Sequence, residues 1–256
     1  MADAAPGADV RARPLESTDE LERAALLYRE VFGYTDPSHG VNPRLLAALA
    51  ANGGSVVGAL TPDGTLVGFA YGFAAVDDAG RSYHYSQAAV VSAVAQGLGV
   101  GRRLKHAQAD VARSRGAATM RWCFDPVLAR NAHFNLDVLG ARGRWFQPDF
   151  YGPGTDRLVV EWDLHGEPGA AAVPTAAEPR PRFAQWGLPV PIGESGAVTL
   201  PVPASFGAHA ADDPVAAERL RAALHVTIPA LLAGGLSAVS CRRLDDRTAA
   251  YLFAPS

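Results

Sequence analysis

Apolar residues first recur at helical spacing behind a polar start. Leu21, Ala24, Ala25, Tyr28, Val31 and Phe32 follow Ser17 and Glu20, which stand at capping-box distance, and Gly33 stops the run. That pattern predicts a helix. Asn42-Pro43 opens a second one, which ends at Asn52-Gly53-Gly54. The pattern then changes to strand-like runs: Ser55 to Leu60, Leu66 to Ala75 and Ser82 to Val91. Pro62-Asp63-Gly64 and Asp77-Asp78-Ala79-Gly80 separate them, and turns that short join neighbouring antiparallel strands.

Helical spacing returns with Leu104, Ala107, Val111 and Ala112 and closes at Arg115-Gly116. Thr119 to Phe124 reads as a buried strand, expected parallel to Ser82–Val91 because a helix lies between the two. Asp125-Pro126 ends it. A further helix is expected from Leu128 to Leu139 with Gly140 as its stop, then aromatic strands around Trp145 to Tyr151 and Leu158 to Leu164. Later come a strand (Ala197 to Val202), a helix from Asp213-Pro214 to Gly234-Gly235 that Pro229 should kink, and a hairpin (Leu236 to Arg242, Thr248 to Phe253). The class is α/β, with a mixed sheet that is antiparallel first and parallel at its centre, and a small α+β C-terminal extension. The expected domains are a disordered tail (1–14), a main domain (15–165), a Gly/Ala/Pro-rich linker (166–189) and a strand-helix-hairpin extension (190–256). The extension is too small to bury a self-sufficient core, so it is expected to dock on what precedes it.

Bulk composition narrows the function classes. With 48% apolar and 19% charged residues, the chain is an ordinary globular one. A net charge of −3 supplies no basic field for nucleic acid or anionic lipid. No run approaches the roughly 18 apolar residues of a membrane helix, and the first residues lack the apolar core of a signal peptide. Cys123 and Cys241 are far apart and not in metal-type spacing, so a reduced, metal-free, cytoplasmic protein is expected.

The chemistry concentrates between the third strand of the meander and the next helix, at Gln96-Gly97-Leu98-Gly99-Val100-Gly101-Arg102-Arg103. Glycines let the backbone approach a ligand closely, and amides at a helix N-terminus point at phosphate oxygens. Arg102 and Arg103 add charge, so a diphosphate-bearing cofactor is the expected guest. A dinucleotide fold fits less well: Gly97-x-Gly99-x-Gly101 breaks the G-x-G-x-x-G spacing, and the loop does not follow a first strand.

Gln96-x-x-Gly99-x-Gly101, in this place, resembles the Gln/Arg-x-x-Gly-x-Gly/Ala signature of the GNAT acyltransferase superfamily. Arg121-Trp122-x-Phe124-Asp125-Pro126, Asn131-Ala132-His133-Phe134-Asn135 and Asp149-Phe150-Tyr151-Gly152 are similar to motifs of a bacterial subfamily of predicted GNAT acyltransferases, a likeness that covers roughly residues 15 to 255. The resemblance implies the GNAT acyl-CoA N-acyltransferase fold, acetyl-CoA or another acyl-CoA as cofactor, a small-molecule amine acceptor, and room for a homodimer. It implies transfer of an acetyl or succinyl group to an amino-acid-like metabolite by direct attack on the thioester; the alternative is a non-catalytic acyl-CoA-binding protein of the same fold.

It further implies that Ala89, Val90 and Val91 line the pantetheine arm, that Gln96 to Arg103 hold the diphosphate, and that Asn131 contacts the cofactor, the other reading of Asn131 being an N-cap or a surface amide. Ser86, Gln87 and Tyr151 are the candidates for the chemistry, with the strand's alternation placing Ser86, Ala88 and Val90 on one face and Tyr85, Gln87, Ala89 and Val91 on the other. Cys123, in a buried strand, reads as core rather than nucleophile, and Asp125 as a turn or cap residue. His84 and His133 read as packing or hydrogen-bonding residues. The chain departs from the family pattern at Gln87 where a His is usual, at Asp149 where the motif has an Asn, at Leu136 where many members carry a Tyr that acts as general acid, and at Leu220-Arg221 with His225 where a Trp-Arg pair and a later Arg are usual. Arg221 or His225 could meet a substrate carboxylate.

Overall fold

The computed structural model describes residues 9–166 and 186–255. Within them the chain divides into two compact units, residues 9–121 with 163–165, and residues 122–162 with 166 and 186–255.

In the first unit the elements are β1 (Arg11–Pro14), α1 (Thr18–Phe32), α2 (Pro43–Ala51), β2 (Ser55–Leu60), β3 (Leu66–Val76), β4 (Ser82–Val91), α3 (Val100–Ser114) and the start of β5 (Thr119–Phe124). The capping box is complete: Ser17 Oγ accepts from the Glu20 amide while the Glu20 carboxylate accepts from the Ser17 amide, and Gly33 ends α1 with φ 66°. Strands β1 to β4 pair antiparallel in sequence order, and β5 joins β4 in parallel at His84↔Met120 and Tyr85↔Arg121. The expected meander and its parallel neighbour are therefore both present. Leu21, Ala24, Leu27, Leu46, Val56, Phe69 and Val90 form a core on the α1 side. On the other side Val57, Ala59, Ala70, Val100 and Leu104 pack together, with Val91 against them.

Two expectations change here. The expected tail (1–14) lies partly outside the described residues, but Arg11–Pro14 is strand β1, hydrogen-bonded along β2. Its composition is not that of a strand; β2 offers an open edge, and pairing satisfies it. In β4 the register runs Tyr71↔Ala88 and then Gly72↔Ser86, so Gln87 is an extra residue with no β3 partner. That β-bulge shifts the alternation by one. Ser86 and Val91 thus face α3 while Val90 joins the α1-side core, and the simple alternation that grouped Ser86 with Val90 fails.

The second unit contains the end of β5, α4 (Ala129–His133) continued by a π-helical turn (Phe134–Val138), β6 (Arg142–Gln147), β7 (Arg157–Asp163), β8 (Val190–Ile192), β9 (Ala197–Pro203), α5 (Phe206–Asp212), α6 (Pro214–Ala233), β10 (Leu236–Arg243) and β11 (Thr248–Pro255). Its strand order is β7-β6-β10-β11-β9-β8, antiparallel throughout. The expected helix over 128–139 is present, with its second half π-helical, and β8 and α5 were not expected. β6 ends at Gln147, so Tyr151 lies in a turn and not at the end of an aromatic strand. The C-terminal hairpin pairs with β6 at Ala238↔Gly143, and Tyr251 donates its hydroxyl hydrogen to the Pro126 carbonyl. Residues 122–162 thus cluster with the C-terminal part, a division different from the expected one at 166–189, of which 167–185 lie outside the described residues. No helix among the described residues is long and apolar enough to cross a membrane.

Candidate functional site

The glycine loop takes its shape from alternating anchors and openings. After β4, the Ser92 amide bonds back to the Val67 carbonyl and the Gln96 side-chain amide donates to the Val91 carbonyl at 3.3 Å. Val100 is buried in the α3-side core and Leu98 packs against it. Between these anchors Gly97 and Gly99 adopt φ 81° and 74°, and a Cβ added to either would meet nothing within 4 Å. Both glycines are needed for the backbone conformation, and both leave open space over the loop.

Gly99 accepts the first helical hydrogen bond of α3 from the Arg103 amide, so the amides of Val100, Gly101 and Arg102 lack intrahelical acceptors and carry the positive end of the helix dipole. Arg102 is exposed beside them; Arg103 is turned away to the Val10 carbonyl at 2.8 Å. These groups fit a diphosphate: donors from a 15-residue helix, glycines that give it room, and one guanidinium on the rim.

Toward the centre of β4, Ala89 is exposed and Gln87 half-buried at the bulge. Ser86 is buried and committed on both sides: its Oγ accepts from Lys105 Nζ at 2.7 Å and donates to Gln108 Oε1 at 2.8 Å. His84 is buried as well, its Nε2 2.8 Å from Ser55 Oγ; burial and the charges of Lys105 and Arg115 push its pKa down to about 4, which keeps the ring neutral at physiological pH. The reading of His84 as a hydrogen-bonding residue matches this environment. Sequence reasoning missed Lys105 and Gln108 as part of this group. Their signal was present, since both are polar positions on the apolar face marked by Leu104 and Ala112.

Tyr151 and Asn131 belong to the second unit. Tyr151 is 55% exposed, with its amide on Thr155 Oγ1 at 2.8 Å, the Arg157 guanidinium 5.3 Å from the ring centroid and its hydroxyl 3.9 Å from Cys123 Sγ. Cys123 is therefore half-buried, not a core residue as expected. Asn131 is exposed within α4, whose N-cap is Leu128, so it does not cap that helix. Leu136 is 2% exposed and fills core. Asp125 makes the expected turn, accepting from the Val127 amide, and also pairs with Arg221 at 3.1 Å. His225 Nδ1 lies 3.0 Å from Asp156. Arg221 and His225 are one turn apart on α6, a spacing visible in the sequence; their carboxylate partners were not. His133 bonds the Cys241 carbonyl through Nδ1 and lies 3.2 Å from Asp137.

Among solved structures the chain is similar to the yncA protein of Salmonella typhimurium, described provisionally as an acetyltransferase and solved with its cofactor acetyl-CoA: 19% identity, TM-score 0.51, covering 63% of this chain and 98% of that one. It is also similar to a GNAT superfamily phosphinothricin acetyltransferase from Sinorhizobium meliloti in complex with acetyl-CoA: 19% identity, TM-score 0.50, 64% and 96% covered. A fungal multi-domain GH3 beta-N-acetylglucosaminidase carrying a GCN5-related glucosamine N-acetyltransferase region matches at 22% identity and TM-score 0.39, with 48% of this chain and 14% of that one covered. No protein-family model matches the sequence, and no curated protein matches it significantly. The chain has the mixed α/β fold of GNAT acetyltransferases.

Proposed function

We propose that the chain is an acyl-CoA-dependent N-acyltransferase that moves an acetyl or succinyl group to the amine of a small, amino-acid-like metabolite. The observation that carries this reading is the open cradle of Gly97 and Gly99 at the N-terminus of α3, in the loop that follows the bulged strand β4. The amides of Val100, Gly101 and Arg102 would hold the diphosphate, Arg102 would add charge at its edge, and Gln96 keeps the loop closed on Val91. Exposed Ala89 leaves the β4 backbone open to an extended pantetheine arm beside Val90 and Val91. When bound, acyl-CoA supplies an acyl group already activated as a thioester, open to direct attack by an amine. The backbone at Gln87, released from the β3 ladder, is the proposed donor to the carbonyl oxygen. Ser86, held by Lys105 and Gln108, is not free to act as a nucleophile, which supports transfer without an acyl-enzyme. Tyr151 as acid and Asn131 as a cofactor contact stay proposals from the sequence resemblance.

One observation favours the non-catalytic alternative: Leu136, buried where many family members place an acid, cannot protonate a leaving thiolate. A thermal-shift panel of CoA, acetyl-CoA, succinyl-CoA, NAD and ATP tests binding. A ligand at about 100 times its Kd adds roughly 2.7 kcal/mol of stability. CoA species alone should stabilise the protein, and Gly99→Val, which puts a branched side chain over the diphosphate donors, should abolish that shift. Stabilisation by NAD or ATP instead, or an unchanged CoA affinity in Gly99→Val, overturns the reading. Thiol release with an amine panel then separates enzyme from binder.

A further inference from the structure

Five polar side chains are buried together between the sheet and α3 of the first unit: Ser55 on β2, His84 and Ser86 on β4, Lys105 and Gln108 on α3, none more than 4% exposed. They are joined end to end, with Lys105 Nζ to Ser86 Oγ 2.7 Å, Ser86 Oγ to Gln108 Oε1 2.8 Å, Gln108 Nε2 to Ser55 Oγ 3.1 Å, and Ser55 Oγ to His84 Nε2 2.8 Å. The chemistry of the groups sets the direction of the three bonds that join Lys105, Ser86, Gln108 and Ser55. An ammonium and an amide nitrogen only donate and an amide oxygen only accepts. Ser86 therefore accepts from Lys105 and donates to Gln108, and Ser55 accepts from Gln108, while the tautomer of His84 sets the direction of the Ser55–His84 bond.

Sheet register explains why the chain of bonds lies here. Ser55, Gly72 and Ser86 are a cross-strand row over β2, β3 and β4. Gly72 supplies the gap: a Cβ there would come within 2.6 Å of His84 Nε2 and 3.0 Å of Ser86 Cα. The far end of the row touches the bulge, because Ser86 is the last paired residue before Gln87.

Packing alone accounts for the serines, the glutamine and the histidine. It does not account for the lysine, since a methionine of similar length would fill the same volume without an ammonium to desolvate, and an ion pair does not remove that penalty. We propose that Lys105 is a positioning residue of the transfer site: through Ser86 it holds the bulged backbone at Gln87 in the conformation that donates to the thioester carbonyl, and it sets a positive charge behind the oxygen where negative charge develops. This rests on the acyl-CoA reading above.

Two variants and a spectroscopic readout test it. Lys105→Met keeps the volume and removes the charge; Ser86→Ala keeps the charge and breaks the connection. In both, the carbonyl stretch of bound [1-13C]acetyl-CoA should move to higher wavenumber than in the unaltered protein, and kcat for thiol release with a responding amine should fall 10- to 100-fold with acetyl-CoA affinity within about 3-fold. Ser55→Ala, at the remote end, should lower the melting temperature and leave the carbonyl frequency where it is. If Lys105→Met does not fold, Ser86→Ala decides. An unchanged carbonyl frequency in the folded variants overturns the assignment of Lys105 while leaving the acyl-CoA reading intact; no acetyl-CoA binding by the unaltered protein overturns both.

Discussion

A methyl group at position 72 has no space, because the row Ser55–Gly72–Ser86 uses the absent side chain to admit the His84 ring and the β4 bulge. Gly207 is the opposite case, a glycine inside α5 with open space around an added Cβ and no positive φ. Overpacking a fixed interior costs about 1–3 kcal/mol, whereas alanine in an open helical position gains about 0.5–1 kcal/mol. Gly72→Ala should therefore lower stability by about 1–3 kcal/mol and Gly207→Ala raise it modestly, read from denaturant midpoints. Equal midpoints for the two would contradict the steric account of residue 72. No signal in the local sequence separates these two glycines; Gly97 and Gly99, by contrast, are legible at once, since a strand-to-helix turn with glycines at that spacing needs positive φ.

Among the elements, α1 is the one whose stability should respond most directly to acid. The Glu20 carboxyl is lowered to about 2, first by the hydrogen bond from Arg13 on β1 and then by the amides of Glu16 and Ser17. A carboxyl depressed in the folded state stabilises above its ordinary value near 4.5, and that contribution is lost as pH falls toward 2. Glu20→Gln should flatten the loss of stability between those values, and Ser17→Ala should remove about 1 kcal/mol at neutral pH. Asp77, also lowered to about 2 by the Arg81 backbone and by Arg81 and Arg121, leaves part of the acid sensitivity in place. Stability profiles of the unaltered protein and Glu20→Gln that superimpose from pH 5 to pH 2 would rule out this role. The helix after β5 follows a different logic: its π-helical turn sets Asp137 to accept from Ser240 Oγ, the Cys241 amide and Arg242 Nε on β10, so a distant strand fixes its geometry.

On the scale of the whole molecule, residues 122–162 depend on the C-terminal 65 or so residues for β6 pairing, for the Asp137 contacts and for the Tyr251–Pro126 bond. A chain ending at Asp163 should lose the native environment of Trp122 and Trp162, which are 4% and 8% exposed and in edge contact at 6.4 Å. Red-shifted tryptophan emission and lost near-UV dichroism are the expected result; a truncated chain with native spectra and one cooperative melt would show that the extension is dispensable. The same dependence marks the limit of what the sequence by itself determined. The starts and stops of α1, α2, α3 and α6, the meander, the parallel step to β5 and the glycine loop were readable, because caps, glycines, short turns and apolar periodicity are properties of neighbouring residues. The strand at Arg11–Pro14, the bulge at Gln87, the hydrogen-bond partners within the buried row of Lys105, and the pairs Arg221–Asp125 and His225–Asp156 were decided only by tertiary structure. The two pairs join residues 96 and 69 positions apart, and a bulge exists only relative to the strand beside it. Dihedral preference is written in adjacent residues, but hydrogen-bond partners and burial are conferred by whichever distant segment the packed chain brings alongside.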